Sequence, residues 1–148
     1  MSDSLNHARH NQALAEKLFQ EDQYLDWVIT VAYYSCNHFL RYHLFPLKKH
    51  NIASLHSDVN DINEYCNYLS IKDKHGAICD LFVERHKDLS NLLLLKNDCD
   101  TARYINYNVR PQQAQRAMNV LSAVADRCKE KYIPVIGNIK LRSRKKKN

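Results

Sequence analysis

The chain has 148 residues, enough for one domain that buries a sizeable core without a disulfide or metal staple. Hydrophobic residues make up 45% and charged residues 26%, with two glycines and three prolines, which excludes a turn-dense, strand-rich fold and favours long helices. The net charge of +6 is carried by the last nine residues alone, leaving 16 basic and 16 acidic residues in 1–139, so the body is not expected to present a general basic face to nucleic acid.

The first twelve residues, "MSDSLNHARHNQ", are polar and lack an apolar core, so no secretory leader is expected. Residues 4–20 place Leu5, Ala8, Ala15, Leu18 and Phe19 on one helical stripe, with Asp3 or Ser4 as cap. The stretch "DWVITVAYYSCNHFLRYHLF" then has almost no polar side. It predicts a helix capped by Asp22 and running to about residue 43, since Pro46 disfavours helical geometry just before it. Trp27, Val31, Tyr34, His38 and Tyr42 share one stripe, and the segment reads as the central stave of a bundle, shut away from water. A histidine in such a stripe is expected to be a hydrogen-bonded core group, at the rim of a pocket. Polar interruptions at Asn37, His38, Arg41 and His43 argue against a membrane span.

Beyond Pro46, Val59, Ile62, Tyr65, Cys66 and Leu69 fall at helical spacing, with Ser57 as the expected cap. After a turn at "IKDKHGA", the run "AICDLFVERHKDLSNLLLL" predicts one helix with Ile78, Leu81, Phe82, Leu89, Leu92 and Leu93 inward. The segment "KNDCDTARYINYNVR" reads as one helical turn and an irregular loop holding Arg103. Pro111 suits the first turn of a last helix with Ala114, Ala117, Met118, Leu121, Val124, Ala125 and Cys128 at core spacing. A short extended arm, "YIPVIGNIKL", follows. The expectation is an all-α, antiparallel up-and-down bundle of about five helices over 1–139. The tail 140–148 carries Lys140, Arg142, Arg144, Lys145, Lys146 and Lys147. It is expected to be disordered, either merely solvated or lending non-specific affinity for nucleic acid.

Familiar site chemistry is sparse. Five cysteines, odd in number and without a C-x-x-C pair, predict neither a disulfide framework nor a zinc site and suit a reducing cytoplasm. Eight histidines include no H-E-x-x-H and no Glu-x-x-His pair, so no metal or other cofactor is expected. Glycine-rich phosphate loops and G-x-S-x-G elbows are missing.

The order of "DWVITVAYYSCNHFLRYHLF", "SLHSDVNDINEY" and "LSNLLLLKNDCDTARYINYNVRPQQAQRAMNVL" resembles the HEPN superfamily of small helical proteins. The matching residues are Trp27, Tyr33, Tyr34 and His38; His56 and Ser57; Ala102, Arg103 and Tyr104; then Ala114 onward, over roughly residues 5–130. The resemblance implies a dimer. Many such proteins are metal-independent RNases with an Arg followed some residues later by a His. No histidine follows Arg103, Arg110, Arg116 or Arg127, and Arg41 and Arg85 lack one at that spacing. Non-nuclease relatives look like nucleotide- or partner-binding modules beside a small nucleotidyltransferase. In many of these an Arg and an acid precede the loop tyrosine; Cys99 and Arg103 stand there instead.

Three readings follow. The first is a non-catalytic module binding a nucleotide, RNA or a protein partner, as a homodimer, through Tyr33, Tyr34, His38, His56, Arg103 and Tyr104. The second is an RNase toxin of a toxin–antitoxin pair, using His56 with Arg103 or Arg85 with His86. The third is a structural bundle whose tail alone touches nucleic acid. Arg103, beside Tyr104 and Tyr107, is the residue best suited to hold a phosphate against a stacked base, unless it pairs with Asp98 or Asp100.

Overall fold

The computed structural model describes residues 3–49 and 55–132. Six α-helices lie among them: α1 (Asp3–Glu21), α2 (Leu25–Leu44), α3 (Ile62–Leu69), α4 (Lys74–Arg85), α5 (Asn91–Tyr104) and α6 (Pro111–Arg127). Among the described residues there is no β-strand, only an isolated bridge between Leu47 and Val59. The chain is an all-α bundle, as its composition implies. The basic tail and most of the expected extended arm lie outside the described residues.

Helix α2 is the hub, packed against α1, α4, α5 and α6. Its buried face carries Val28, Ile29, Ala32, Tyr33, Cys36, Phe39 and Leu40. Facing it are Leu5, Ala8 and Ala15 of α1, Ile78 and Phe82 of α4, Leu92 and Leu95 of α5, and Leu121 and Val124 of α6. Each large side chain removed from water here stabilises the fold by about 1.5–3 kcal/mol. Ala8 and Ala15 are fully buried and let α1 approach α2 closely enough for Ser35 Oγ to donate to the Ala8 carbonyl at 2.7 Å.

The stripe of Trp27, Val31, Tyr34, His38 and Tyr42 is not the inward face. Trp27 is 55% exposed and the other four are only half-buried. Two neighbouring faces of α2 are apolar, and periodicity alone does not decide between them. The close approach of α1 selects the face with the smaller residues, Ala32, Ser35 and Cys36.

Local boundaries differ too. Asp22 does not cap α2. It and Tyr24, the N-cap residue, both take left-handed backbone (φ 54° and 53°), and no side chain caps the helix. Ser57 does not start α3. The paired Leu47 and Val59 exchange backbone hydrogen bonds of 2.8 and 2.9 Å, which holds Val59 extended and delays the helix. Asp61 becomes the cap, accepting from the Glu64 amide at 2.9 Å, while Glu64 accepts from the Asn60 amide at 3.1 Å.

The expected helix across residues 77–95 is split. His86 leaves helical geometry (φ −134°, ψ 69°), and a 3-10 turn at Lys87–Leu89 redirects the chain. No Gly or Pro marks this break; the His86 ring is held by tertiary partners described below. Arg103, expected in a loop, lies instead in the last turn of α5. Burial of Cys99 and Ala102 extends that helix through the ambiguous segment.

Candidate functional site

With Cys99 and Ala102 buried, the helical period turns Arg103 and Tyr104 outward at the end of α5. Arg103 reaches across to α2, where its Nη1 donates to the Tyr34 hydroxyl. Its guanidinium carbon lies 5.4 Å from the centre of the Tyr34 ring and 4.8 Å from that of Tyr104. Neither expected acid pairs with it. Asp98 binds Arg116 at 2.7 Å, and Asp100 binds Lys96 at 3.3 Å. Among the described residues, no carboxylate lies within ion-pair distance of Arg103.

Two hollows flank this guanidinium. One of about 400 Å³ is lined by Asp26, Trp27, Thr30, Tyr104, Asn106 and Tyr107, among others. The second, of about 260 Å³, is lined by Asn11, Trp27, Thr30, Val31, Tyr34 and His38, with Arg103 on the shared wall. A third, of about 450 Å³, runs from Trp27 over Val31 and Tyr24 to Leu14 and Leu18. Trp27 borders all three. Among the described residues, six of the eight exposed large hydrophobic ones gather here: Leu14, Tyr24, Trp27, Tyr104, Ile105 and Tyr107.

His38 faces the second hollow and stacks on His7 with ring centres 4.9 Å apart. Burial, then the neighbouring His7 and Arg41, holds its pKa below the ordinary histidine value. Its Nδ1 is buried without a partner. The expectation of a hydrogen-bonded core histidine is therefore not met; a ring stack holds it instead. Burial raises the Tyr34 hydroxyl pKa, partly offset by Arg103. His75 sets its ring edge against Tyr33 and Tyr34 at 6.0 and 5.8 Å.

The remaining sequence candidates lie elsewhere. Tyr33 is 2% exposed and turns into the core, where its hydroxyl meets Cys79 Sγ at 3.6 Å. Desolvation pushes its pKa far up. His56 is held near α3, its amide donating to the Tyr68 hydroxyl at 3.0 Å and its ring 5.9 Å from that of Tyr68. Arg85 lies over the Tyr132 ring at 5.5 Å and donates to the Leu81 carbonyl. His86 meets His43 through Nε2 and Arg127 through Nδ1, at 3.0 and 3.1 Å.

Sequence reasoning thus brings Tyr34, His38, Arg103 and Tyr104 to one surface and scatters the others. It passed over Asp26, Asn11, His75 and Asn106. Nothing in their local spacing marks them; only the packing of α1, α4 and α5 on α2 does. Among the described residues no three His, Cys, Asp or Glu side chains converge as metal ligands, and no helix is long and apolar enough to cross a membrane.

Comparison with the curated proteins and with the solved structures gives no significant match. A family model described as the HEPN domain matches residues 1–131, a range that takes in all six helices. The chain belongs to the HEPN domain family.

Proposed function

We propose that the protein is a non-catalytic binding module acting in the cytoplasm, and that its ligand is a nucleotide held by Arg103 between aromatic rings. The observation that carries this reading is the guanidinium without a carboxylate. Arg103 is fixed by Tyr34 and Tyr104 while Asp98 and Asp100 are engaged elsewhere. A planar cation held this way matches a phosphate, and the exposed faces of Trp27, Tyr104 and Tyr107 suit a stacked base. The larger adjoining hollow, about 400 Å³, falls within the ~300–1,000 Å³ usual for small-molecule sites.

Binding is favoured over catalysis by the state of the nearby groups. His38 is biased to the neutral form without a hydrogen-bonded partner at Nδ1, and Cys99 is buried with its thiol pushed up to about 11. Neither forms a nucleophile–base pair. The alternative Arg85 and His86 are both engaged in packing contacts.

A second reading has its own support. Trp, Tyr and Arg side chains on one exposed face are what the centres of protein interfaces contain. The partner would be a second copy of the chain or a small nucleotidyltransferase.

Trp27 is the sole tryptophan, so its emission reports on this surface without a label. Titrating the full chain with each of the four ribonucleoside 5′-monophosphates should give saturable quenching with at least one, lost in Arg103→Ala. No response to any of them, together with a dimer mass that falls to the monomer in Trp27→Ala, replaces the nucleotide by a protein partner.

A further inference from the structure

We infer that the nucleotide is a guanine nucleotide, and that Asp26 is the residue that selects the base. This rests on the nucleotide reading above and deepens it.

Asp26 lies in the first turn of α2, is half-buried, and lines the hollow that Arg103 closes. Its backbone carbonyl is taken by the Thr30 hydroxyl at 3.0 Å, but among the described residues its carboxylate has no ion-pair partner. It does not reach Arg103, which is occupied by Tyr34. Two opposite charges thus line one hollow without neutralising each other. A ligand carrying an anion at one end and hydrogen-bond donors at the other satisfies both.

An ionised carboxylate only accepts hydrogen bonds, and does so through two oxygens side by side. Guanine is the one common base whose pairing edge sets two donors next to each other, the ring N1–H and the exocyclic N2 amine. Adenine and cytosine each present an amine beside an unprotonated ring nitrogen, whose lone pair would face the carboxylate. Uracil presents one N–H between two carbonyl oxygens. Only guanine meets Asp26 without an opposed lone pair.

Asn106 supplies the complement. Its Oδ1 accepts the Asn108 amide at 2.9 Å, so its amide nitrogen remains as a donor in the same hollow. Guanine carries acceptors, O6 and N7, beside its donor pair. Trp27 and Tyr107 give the flat walls that a purine stacks on.

The test uses the full chain and Trp27 emission, with calorimetry as a second readout. GMP should bind at least about tenfold more tightly than AMP, CMP or UMP, the factor expected from one charge-assisted hydrogen bond. Inosine monophosphate, which lacks the N2 amine, should fall between GMP and AMP. In Asp26→Asn the preference should collapse to within about threefold, while Arg103→Ala weakens all four nucleotides alike. If nucleotides bind with dependence on Arg103 but GMP shows no advantage, or if Asp26→Asn keeps the advantage, base selection by Asp26 is wrong and the nucleotide site stands. If none binds, both are wrong.

Discussion

The Nε2 atoms of His43 and His86 lie 3.0 Å apart, so one ring must donate and the other must accept. The remaining contacts fix which. His43 Nδ1 meets the Glu130 carbonyl, which can only accept, so His43 carries its proton there and accepts at Nε2. His86 then donates from Nε2 and accepts at Nδ1 from Arg127, whose other nitrogen binds Asp88 at 2.7 Å. Each ring atom is satisfied only while both imidazoles are neutral.

This arrangement predicts acid sensitivity with a definite sign. Burial, then His43 and Arg127, lowers the His86 pKa from 6.5 to about 4, and burial lowers that of His43 as well. A depressed folded-state value favours the neutral form. The stabilisation is therefore complete above pH 6.5 and is lost as pH falls toward about 4. The melting temperature, followed from pH 7.5 to 4.5, should drop over that window in the wild type. His86→Leu should melt lower at neutral pH and show a flatter acid limb. An equally steep limb in the variant would remove these rings as its cause.

The same pair shows why the chain was only partly legible in advance. Helix α6 announces itself through Pro111 and the spaced Ala114, Ala117, Leu121 and Val124, all of them local signals. The break at His86 carries none, because its stabilising partners lie 41 to 43 residues away. The candidate site behaves alike. Arg103 and Tyr104 are adjacent and aromatic-flanked in sequence, so they were visible. Asp26 and Trp27 join them only because α2 packs on α5. Tyr33 and Tyr34 are neighbours in the chain yet face opposite ways, one into the core and one to the site, and only the choice of buried face on α2 separates them.

The start of α3 offers a direct comparison of two candidate caps. Asp61 accepts from the Glu64 amide at 2.9 Å, an otherwise unpaired donor at the helix end. Asp61→Ala should lower stability by about 1 kcal/mol, and Ser57→Ala, four residues before the cap and exposed, by less than about 0.5 kcal/mol. Urea midpoints of the two variants measured side by side check this. The reverse order would move the helix start back to Ser57.

The α1–α2 contact should tolerate neither enlargement nor loss of its hydrogen bond equally. Ala8 is 0% exposed, so Ala8→Leu forces three extra carbon atoms into a close-packed seam and should destabilise by about 1–3 kcal/mol or more. Ser35→Ala removes only the 2.7 Å bond to the Ala8 carbonyl and should lose about 1 kcal/mol. Chemical denaturation ranks the two. The enlargement should also shift Trp27 emission, because α1 and α2 both wall the hollow that this side chain borders.

Arg103→Lys separates charge from shape. Lysine keeps the positive charge but loses the planar fork that lies against Tyr34 and Tyr104 at 5.4 and 4.8 Å. Arg103 is exposed, and contacts of this kind stabilise by only about 0.5–1 kcal/mol at exposed sites, so the melting temperature should barely move. Ligand affinity should fall nonetheless, because a point charge on a flexible stem can neither offer two parallel N–H groups to a phosphate nor hold a stacking plane in place. If charge alone mattered, lysine would retain nucleotide affinity and only Arg103→Ala would lose it. Nucleotide titrations of wild type, Arg103→Lys and Arg103→Ala at two salt concentrations distinguish these outcomes. The residual binding of the lysine form should be the more salt-sensitive, since it rests on unshaped electrostatics.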